Sequence, residues 1–273
     1  MFGQRRIELK THDQIRVMRR AGLVVADVHD AVRTALDPGA RTRELNDVAA
    51  AVLERAGAAS NFLGYHGFPG VICVSVNDEV VHGIPGERVL AEGDVVSVDA
   101  GAIVDGWHAD AAFTAVVGEA DPTDRGLVDL TDAALWAGIA ALARGGRLGV
   151  VGDAVEDVVA SGDREFGIVR EYVGHGIGTQ MHQPPDVLNY RSGHRGVKIK
   201  PGLCVAIEPM ISAGSGETEV LADDWTVVTT DGSRAAHAEH SVAVHENGVW
   251  VLTARDGGAA GLAPHGVSPV PLD

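Results

Sequence analysis

Positive charge is what this chain most lacks. Its 22 Lys and Arg stand against 38 Asp and Glu, a formal charge of −16 over 273 residues. That balance argues against general affinity for nucleic acid, DNA included. The shortage is uneven. Residues 1–20 hold Arg5, Arg6, Lys10, Arg16, Arg19 and Arg20 against Glu8 and Asp13, so the start carries +4 and the remainder −20. Such a start could touch an anionic partner such as ribosomal RNA, although it reads more simply as a solvated helix face. Cysteine is also scarce. Cys73 and Cys204 each lie inside an apolar run and read as small buried hydrophobes in a reducing compartment, not as a disulfide framework. No apolar N-terminal segment resembles a signal sequence, and no apolar run approaches the roughly 18 residues of a membrane span. The expectation is a soluble cytoplasmic protein that does not enter a membrane. Its length allows a full core, in one large domain or two small ones.

One local absence matters more. Between Glu92 and Arg125 there is no Lys or Arg at all, yet this stretch contains VVSVDAGAIVDGWHAD, Val95 to Asp110. It opens as a β-branched strand and places Asp99 where a buried sheet would hold Val or Ile. Asp110 follows beyond a Val-Asp-Gly turn signal. A turn centred on Val104-Asp105 would set the two aspartates directly opposite one another. A turn at Asp105-Gly106 would make them diagonal neighbours on the same face. Two such carboxylates in an apolar sheet cannot both ionise cheaply without a shared proton, a cationic side chain or a metal. With no cationic side chain in the stretch, a proton or a metal is favoured. Two exposed acids on an edge hairpin are the plainer alternative.

Along the chain, Thr11-His12-Asp13 offers caps for a helix running toward Leu36, and Asp37-Pro38-Gly39 breaks it. Thr42 is expected to cap a second helix, Leu45 to Ala56, stopped by Gly57. Loops and short strands follow, then the hairpin, a third strand at Ala112–Val117, and a linker from Gly118 to Asp124. Helical spacing returns at 127–142 and 151–159. Strands are expected at 203–207, 225–229 and 240–245. From about Gly257 the chain is rich in Gly, Ala and Pro, lacks periodicity and reads as a disordered tail, 257–273.

This order of elements repeats. His66 and His175 lie 109 residues apart, as do Asp99 and Glu208, and each of these acids comes six residues after a glycine, Gly93 or Gly202. An internal duplication of roughly 11–118 and 124–250 follows, within a single domain of 1–256. Two α+β halves related by a pseudo-two-fold would bring Asp99 and Glu208 to one central site. Glu208 ends an apolar strand, Glu239 sits just before another, and His175 lies between glycines that let backbone approach closely. Four carboxylates and one imidazole form a hard, oxygen-rich set. Two divalent ions such as Mn²⁺, Fe²⁺ or Co²⁺ suit it better than one closed zinc site. Two ions sharing a hydroxide and clamping a carbonyl are machinery for hydrolysis. Taken singly, Glu208 also reads as a buried acid and His175 as a satisfied loop histidine. His82 and His182, in loops that also hold Gly or Pro, are candidate donors to a substrate carbonyl or leaving amine.

The segments LGYHGFPGVICVSVNDEVVHGIPG, VDAGAIVDGWHAD, GHGIGTQMH, IEPM and AEHSVAV, in this order over roughly 10–250, resemble those of type I methionine aminopeptidases. The resemblance implies the pita-bread fold: two related α+β halves with a central antiparallel sheet, helices on its outer face, and a dinuclear metal site. By that likeness Asp99, Asp110, His175, Glu208 and Glu239 would be the metal ligands, with Asp110 and Glu239 bridging two ions of Mn, Fe or Co, or Zn. A bridging hydroxide would attack the scissile carbonyl, with Glu208 shuttling its proton. His82 would contact the substrate backbone or leaving nitrogen, and His182 the scissile carbonyl. Tyr65, Phe68, Cys73, Met181 and Trp225 match positions lining the methionine pocket, where a soft apolar wall suits a thioether. The implied reaction is removal of the initiator methionine from nascent polypeptide N-termini when the next residue is small. No coiled coil or long apolar edge in the sequence demands a dimer, so a monomer is expected. An X-Pro dipeptidase shares the fold and ligands but usually carries a further N-terminal domain, and a binding protein of this fold would usually have lost ligands. The chain departs from the family pattern at Val81, Gly101, Met181 and Pro184. Gly101 replaces a hydroxyl residue near Asp99.

Overall fold

The computed structural model describes residues 7–272, so Arg5 and Arg6 of the basic start lie outside it. Thr11 caps the first helix, α1 (His12–Ala35): its hydroxyl accepts from the Gln14 N–H while the Gln14 side chain accepts from the Thr11 N–H. Ile15, Met18, Gly22, Val25, Val28 and Val32 recur at helical spacing and are buried. Helix α2 (Thr42–Ala56) starts one turn earlier than the expected Leu45. Glu44, not Thr42, satisfies the free N–H of Arg41, and the Thr42 hydroxyl bonds across to Gly86 instead. Gly57 ends the helix at φ 63°, where a glycine carries no strain.

Strands β1 (Ala59–Ser60), β2 (Ile72–Val76) and β3 (Glu79–Val81) lead to the long hairpin of β4 (Val95–Val104) and β5 (Trp107–Val116). Its turn is Asp105-Gly106, with φ of 50° and 79°. The second of the two registers is therefore the one adopted. Asp99 pairs with Ala112, and Asp110 with Gly101. No separate strand begins at Ala112, because β5 runs unbroken through it.

The second half repeats the plan. Helix α3 (Pro122–Ala143) takes in the last three residues of the expected linker, because Asp121 caps it and Pro122 occupies its first turn. Helix α4 is Val150–Ala160. Then come β6 (Gly167–Ile168), β7 (Gly174–Gly176), β8 (Gln183–Val187), β9 (Cys204–Ile207), β10 (Met210–Ser212), β11 (Thr218–Val220), β12 (Val227–Thr229), β13 (Ala235–His237), β14 (Glu239–His245), β15 (Gly248–Val251) and the short α5 (Ala259–Leu262). The main sheet runs β1-β4-β5-β14-β9-β7-β8, with β2 also on β4 and β15 on β14. Two small sheets, β13-β10-β6 and β11-β12-β3, stand beside it.

The order β4-β5-β14-β9 displays the pseudo-two-fold, whose axis passes between β5 and β14. Those two strands pair only at Glu239–Ala112 and His240–Ala111. Alternate residues of β4 and β5 (Val96, Val98, Ala100, Ala109, Ala111, Phe113) enter one core under α1 and α2. Val205, Ile207, Val242 and Val244 enter a second core with Leu127, Leu135, Ile139 and Val155 of α3 and α4. The other sheet face is left for the acids. By length and composition α3 could cross a membrane, although it is not one continuous apolar run. Its Leu127, Leu135, Ile139 and Leu142 are spent on the second core.

Two expectations are corrected. The 109-residue offset relates Asp99 to Glu208 in structure but does not relate the histidines. His175 lies buried in β7, whereas His66 sits exposed in a 3₁₀ turn at φ 46°. The segment from Gly257 to Leu272 is ordered. Leu262 is fully buried in the second core, Val267 packs beside it, and the Val270 N–H donates to Val249.

Candidate metal centre

Strand register assembles the acids. Ala112 of β5 pairs with Asp99 on one side and Glu239 on the other. His240 pairs with Ile207, so the next residue of the β9 chain, Glu208, falls beside Glu239. Asp99, Ala112, Glu239 and Glu208 thus form one row across four strands on the face away from the helices. Asp110 stands two residues before Ala112 on the same face. Ser241 anchors it from the second half: the Asp110 N–H donates to Ser241 Oγ at 2.9 Å, and that hydroxyl donates to the Asp110 carbonyl at 2.8 Å. His175 comes in from β7, its Nε2 3.3 Å from Glu208 Oε1. The backbone there is in close contact: a Cβ on Gly174 would stand 2.4 Å from the Ala206 carbonyl oxygen, and one on Gly176 2.3 Å from that of Pro184.

All five side chains are buried, which removes the edge-hairpin alternative. Burial raises every carboxyl. Asp99 is pushed up to about 7. Asp110, Glu208 and Glu239 rise well above the carboxylate range, burial being reinforced by their acidic neighbours. Burial also lowers His175 to about 3, keeping its ring neutral. Asp99 Oδ1, Asp110 Oδ1 and Glu239 Oε1 are buried without a hydrogen-bond partner. Ligand atoms of Asp110, His175 and Glu239 lie within 4.8 Å of one another, as do those of Glu208, His237 and Glu239. Orphaned carboxylate oxygens converging with a neutral imidazole, and no cationic side chain in the cavity lining, fit divalent cations.

The remaining predicted residues surround the same cavity of about 110 Å³. Cys73 is the cross-strand partner of Asp99. It packs with Phe62, Phe68 and Met181, and with the partly exposed Trp225, as an apolar wall. Burial and Asp99 together keep the Cys73 thiol protonated. His82, in the left-handed region at φ 61°, stands edge-on to Tyr172 and Trp225 with ring centroids 5.5 and 5.9 Å away. The His182 ring lies 4.3 Å from that of His175, and its Nδ1 is 2.9 Å from the Tyr65 hydroxyl at the exposed mouth. The cluster therefore brings together every residue singled out in the sequence for metal or substrate.

Other contributors were not singled out. Asn61 is buried where a Cβ on Gly101 would lie 2.2 Å from its Nδ2. It donates to Ala109 and pairs with His108, and its amide holds the Asp110 carboxyl lower than burial alone would. Gly101 thus makes room for an amide where the family pattern has a hydroxyl. Asn189 donates to the Glu208 carbonyl, and His237 lies beside Glu208 and Glu239. For His237 a signal was present: it stands two residues before Glu239, the spacing that puts strand residues on one face.

A family model described as metallopeptidase family M24 matches residues 16–246. The chain belongs to that family. Methionine aminopeptidase 1 of Mycobacterium tuberculosis is 46% identical over 256 residues, covering 92% of this chain and 96% of its own. Methionine aminopeptidase 1 of Bacillus subtilis is 43% identical over 244 residues, covering 89% and 98%. A crystal structure of a methionine aminopeptidase from Thermotoga maritima superposes with a TM-score of 0.88 at 40% identity, covering 91% of this chain and 99% of that one. The fold is accordingly the pita-bread fold. This M24 metallopeptidase is a metal-dependent hydrolase, and the buried acid–imidazole cluster has the donors that divalent metal requires.

Proposed function

We propose that this M24 metallopeptidase is a methionyl aminopeptidase, removing the initiator methionine from nascent chains whose second residue is small. The carrying observation is the cavity itself, where five buried metal-type donors form one wall and Phe62, Phe68, Cys73, Met181 and Trp225 the other. Asp99, Asp110, His175, Glu208 and Glu239 would hold two divalent ions, with Mn²⁺, Fe²⁺ or Co²⁺ preferred to Zn²⁺ by the hard donors. When bound, such ions polarise a water and a carbonyl oxygen. The protein's own groups do the rest. The apolar wall takes the unbranched thioether side chain and excludes water from it. His182, whose Nδ1 lies 2.9 Å from the Tyr65 hydroxyl, would donate to the scissile carbonyl oxygen. His82, lowered to about 4 by burial, is neutral and can accept from the leaving nitrogen's N–H. Glu208, beside His175 and Glu239, would take a proton from the attacking water and pass it to the leaving nitrogen. A bulky second residue would collide with the crowded acids, which accounts for the preference for a small one.

The setting proposed is the cytoplasm and the state a monomer. Of the described basic residues near the start, Lys10 is buried against Glu8 and Gln183, and Arg19 is bonded to carbonyls of residues 251, 252, 254 and 255. Arg16 and Arg20 are exposed but already paired, with Asp13 at 3.7 Å and Asp105 at 2.7 Å, so a ribosomal surface would have to compete with those acids for them.

The test is an assay of chelator-stripped protein on Met-Ala-Ser and Ala-Pro, with Mn²⁺, Co²⁺, Fe²⁺ or Zn²⁺ restored in turn. Methionine release only with metal is expected. Cleavage of Ala-Pro alone would move the protein to the dipeptidase class, and no cleavage of either by intact protein would overturn the reading.

A further inference from the structure

His237 is the last residue of β13, where the chain crosses from a small sheet into the main one. It is 1% exposed. Its backbone is clamped by Thr114, whose hydroxyl donates to the His237 carbonyl at 2.8 Å and accepts from the His237 N–H at 2.9 Å. The ring is thereby carried to a fixed place. Its Nε2 lies 3.9 Å from Glu208 Oε2 and 3.9 Å from Glu239 Oε2. That nitrogen is buried without any hydrogen-bond partner. The separations exceed a hydrogen bond, yet they match atoms that share a cation, since ligands about 2.0–2.2 Å from one ion lie about 3–4 Å apart. One ligand atom each from Glu208, His237 and Glu239 falls within 4.8 Å of the others.

We infer that His237 is a sixth metal-binding side chain of the centre, donating through Nε2 to the ion held between Glu208 and Glu239. The inference rests on the two-ion reading given above and adds a second imidazole to it. Ligand atoms of His175 group with those of Asp110 and Glu239, and those of His237 with Glu208 and Glu239, so each of the two ions would have one imidazole within reach.

The competing role is a histidine that touches only the carboxylates from outside. Loss of such a residue also weakens metal binding, by about 10–100-fold, so affinity and activity do not separate the two. Counting imidazoles does. The protein is loaded with zinc to its measured stoichiometry and examined by X-ray absorption, wild type beside His237→Gln, with circular dichroism as the fold control. If His237 is a ligand, the wild type shows about one imidazole per zinc on average, and His237→Gln about one for every two zincs. An unchanged count in a folded variant, even with weaker binding, overturns the inference. If the variant does not fold, the wild-type count decides alone: about one per zinc supports the assignment and about half that overturns it. A wild type that binds no more than one zinc tightly would instead refute the two-ion reading.

Discussion

Asp99 shows what the site does to a single residue. Burial lifts its carboxyl to about 7 in the metal-free protein. A carboxyl whose folded pKa lies above its unfolded one binds more protons when folded. The stability it contributes is therefore present at low pH and lost as pH rises from about 4 to about 7. Asp99→Asn cannot ionise, so it escapes that loss. The chelator-treated variant is expected to melt higher than chelator-treated wild type near neutral pH, by on the order of a few kcal/mol, while losing metal-dependent cleavage. Melting curves of both proteins across that pH range check this, and identical pH dependence would refute it. Asp99 and Asp110 could be found in the sequence because strand alternation exposes a polar residue in an apolar run. Asn61 could not. It stands in a loop with no period to offend, and it matters only because Gly101, forty residues later, leaves room for it.

At the scale of elements, β7 is a tightly fitted strand. Gly176 is threaded against the Pro184 backbone, and this close fit is what sets the His175 ring among the acids. Gly176→Ala is expected to cost about 1–3 kcal/mol in a denaturant titration and to weaken metal binding. Gly126→Ala, on the open side of α3, should be neutral or stabilising by up to about 1 kcal/mol. Equal effects from the two would mean the close approach is not what positions His175. Helix interiors were readable from apolar spacing, and the hairpin from its turn residues. The start of α3 was not, because Asp121-Pro122 serves equally as a turn and as a cap followed by a first-turn proline. Nor was the continuity of β5, since a strand passing through a metal centre breaks its own apolar alternation at the functional residues.

For the whole molecule, composition misled at the end of the chain. A stretch rich in Gly, Ala and Pro suggested disorder, yet Leu262 and Val267 find seats in the second core and His245 Nε2 lies 3.0 Å from the Val270 carbonyl. Truncation after Asp256 is expected to lower the melting temperature by about 5 °C or more, since burial of Leu262 alone is worth about 1.5–3 kcal/mol. Differential scanning calorimetry of the two lengths checks it, and an unchanged transition would restore the disordered reading. The repeat, by contrast, was legible from the offset of Asp99 and Glu208, and the structure gives it a seam of two residue pairs between β5 and β14. Asp99 and Asp110 arrive from one side of that seam, and His175, Glu208 and Glu239 from the other. Half the chain is therefore half a centre. A polypeptide of that length, folded alone, would carry buried acids with nothing to complete them. Only by meeting its own copy face to face would it gain a working site, so the continuous chain has the logic of a dimer whose subunits have been joined end to end.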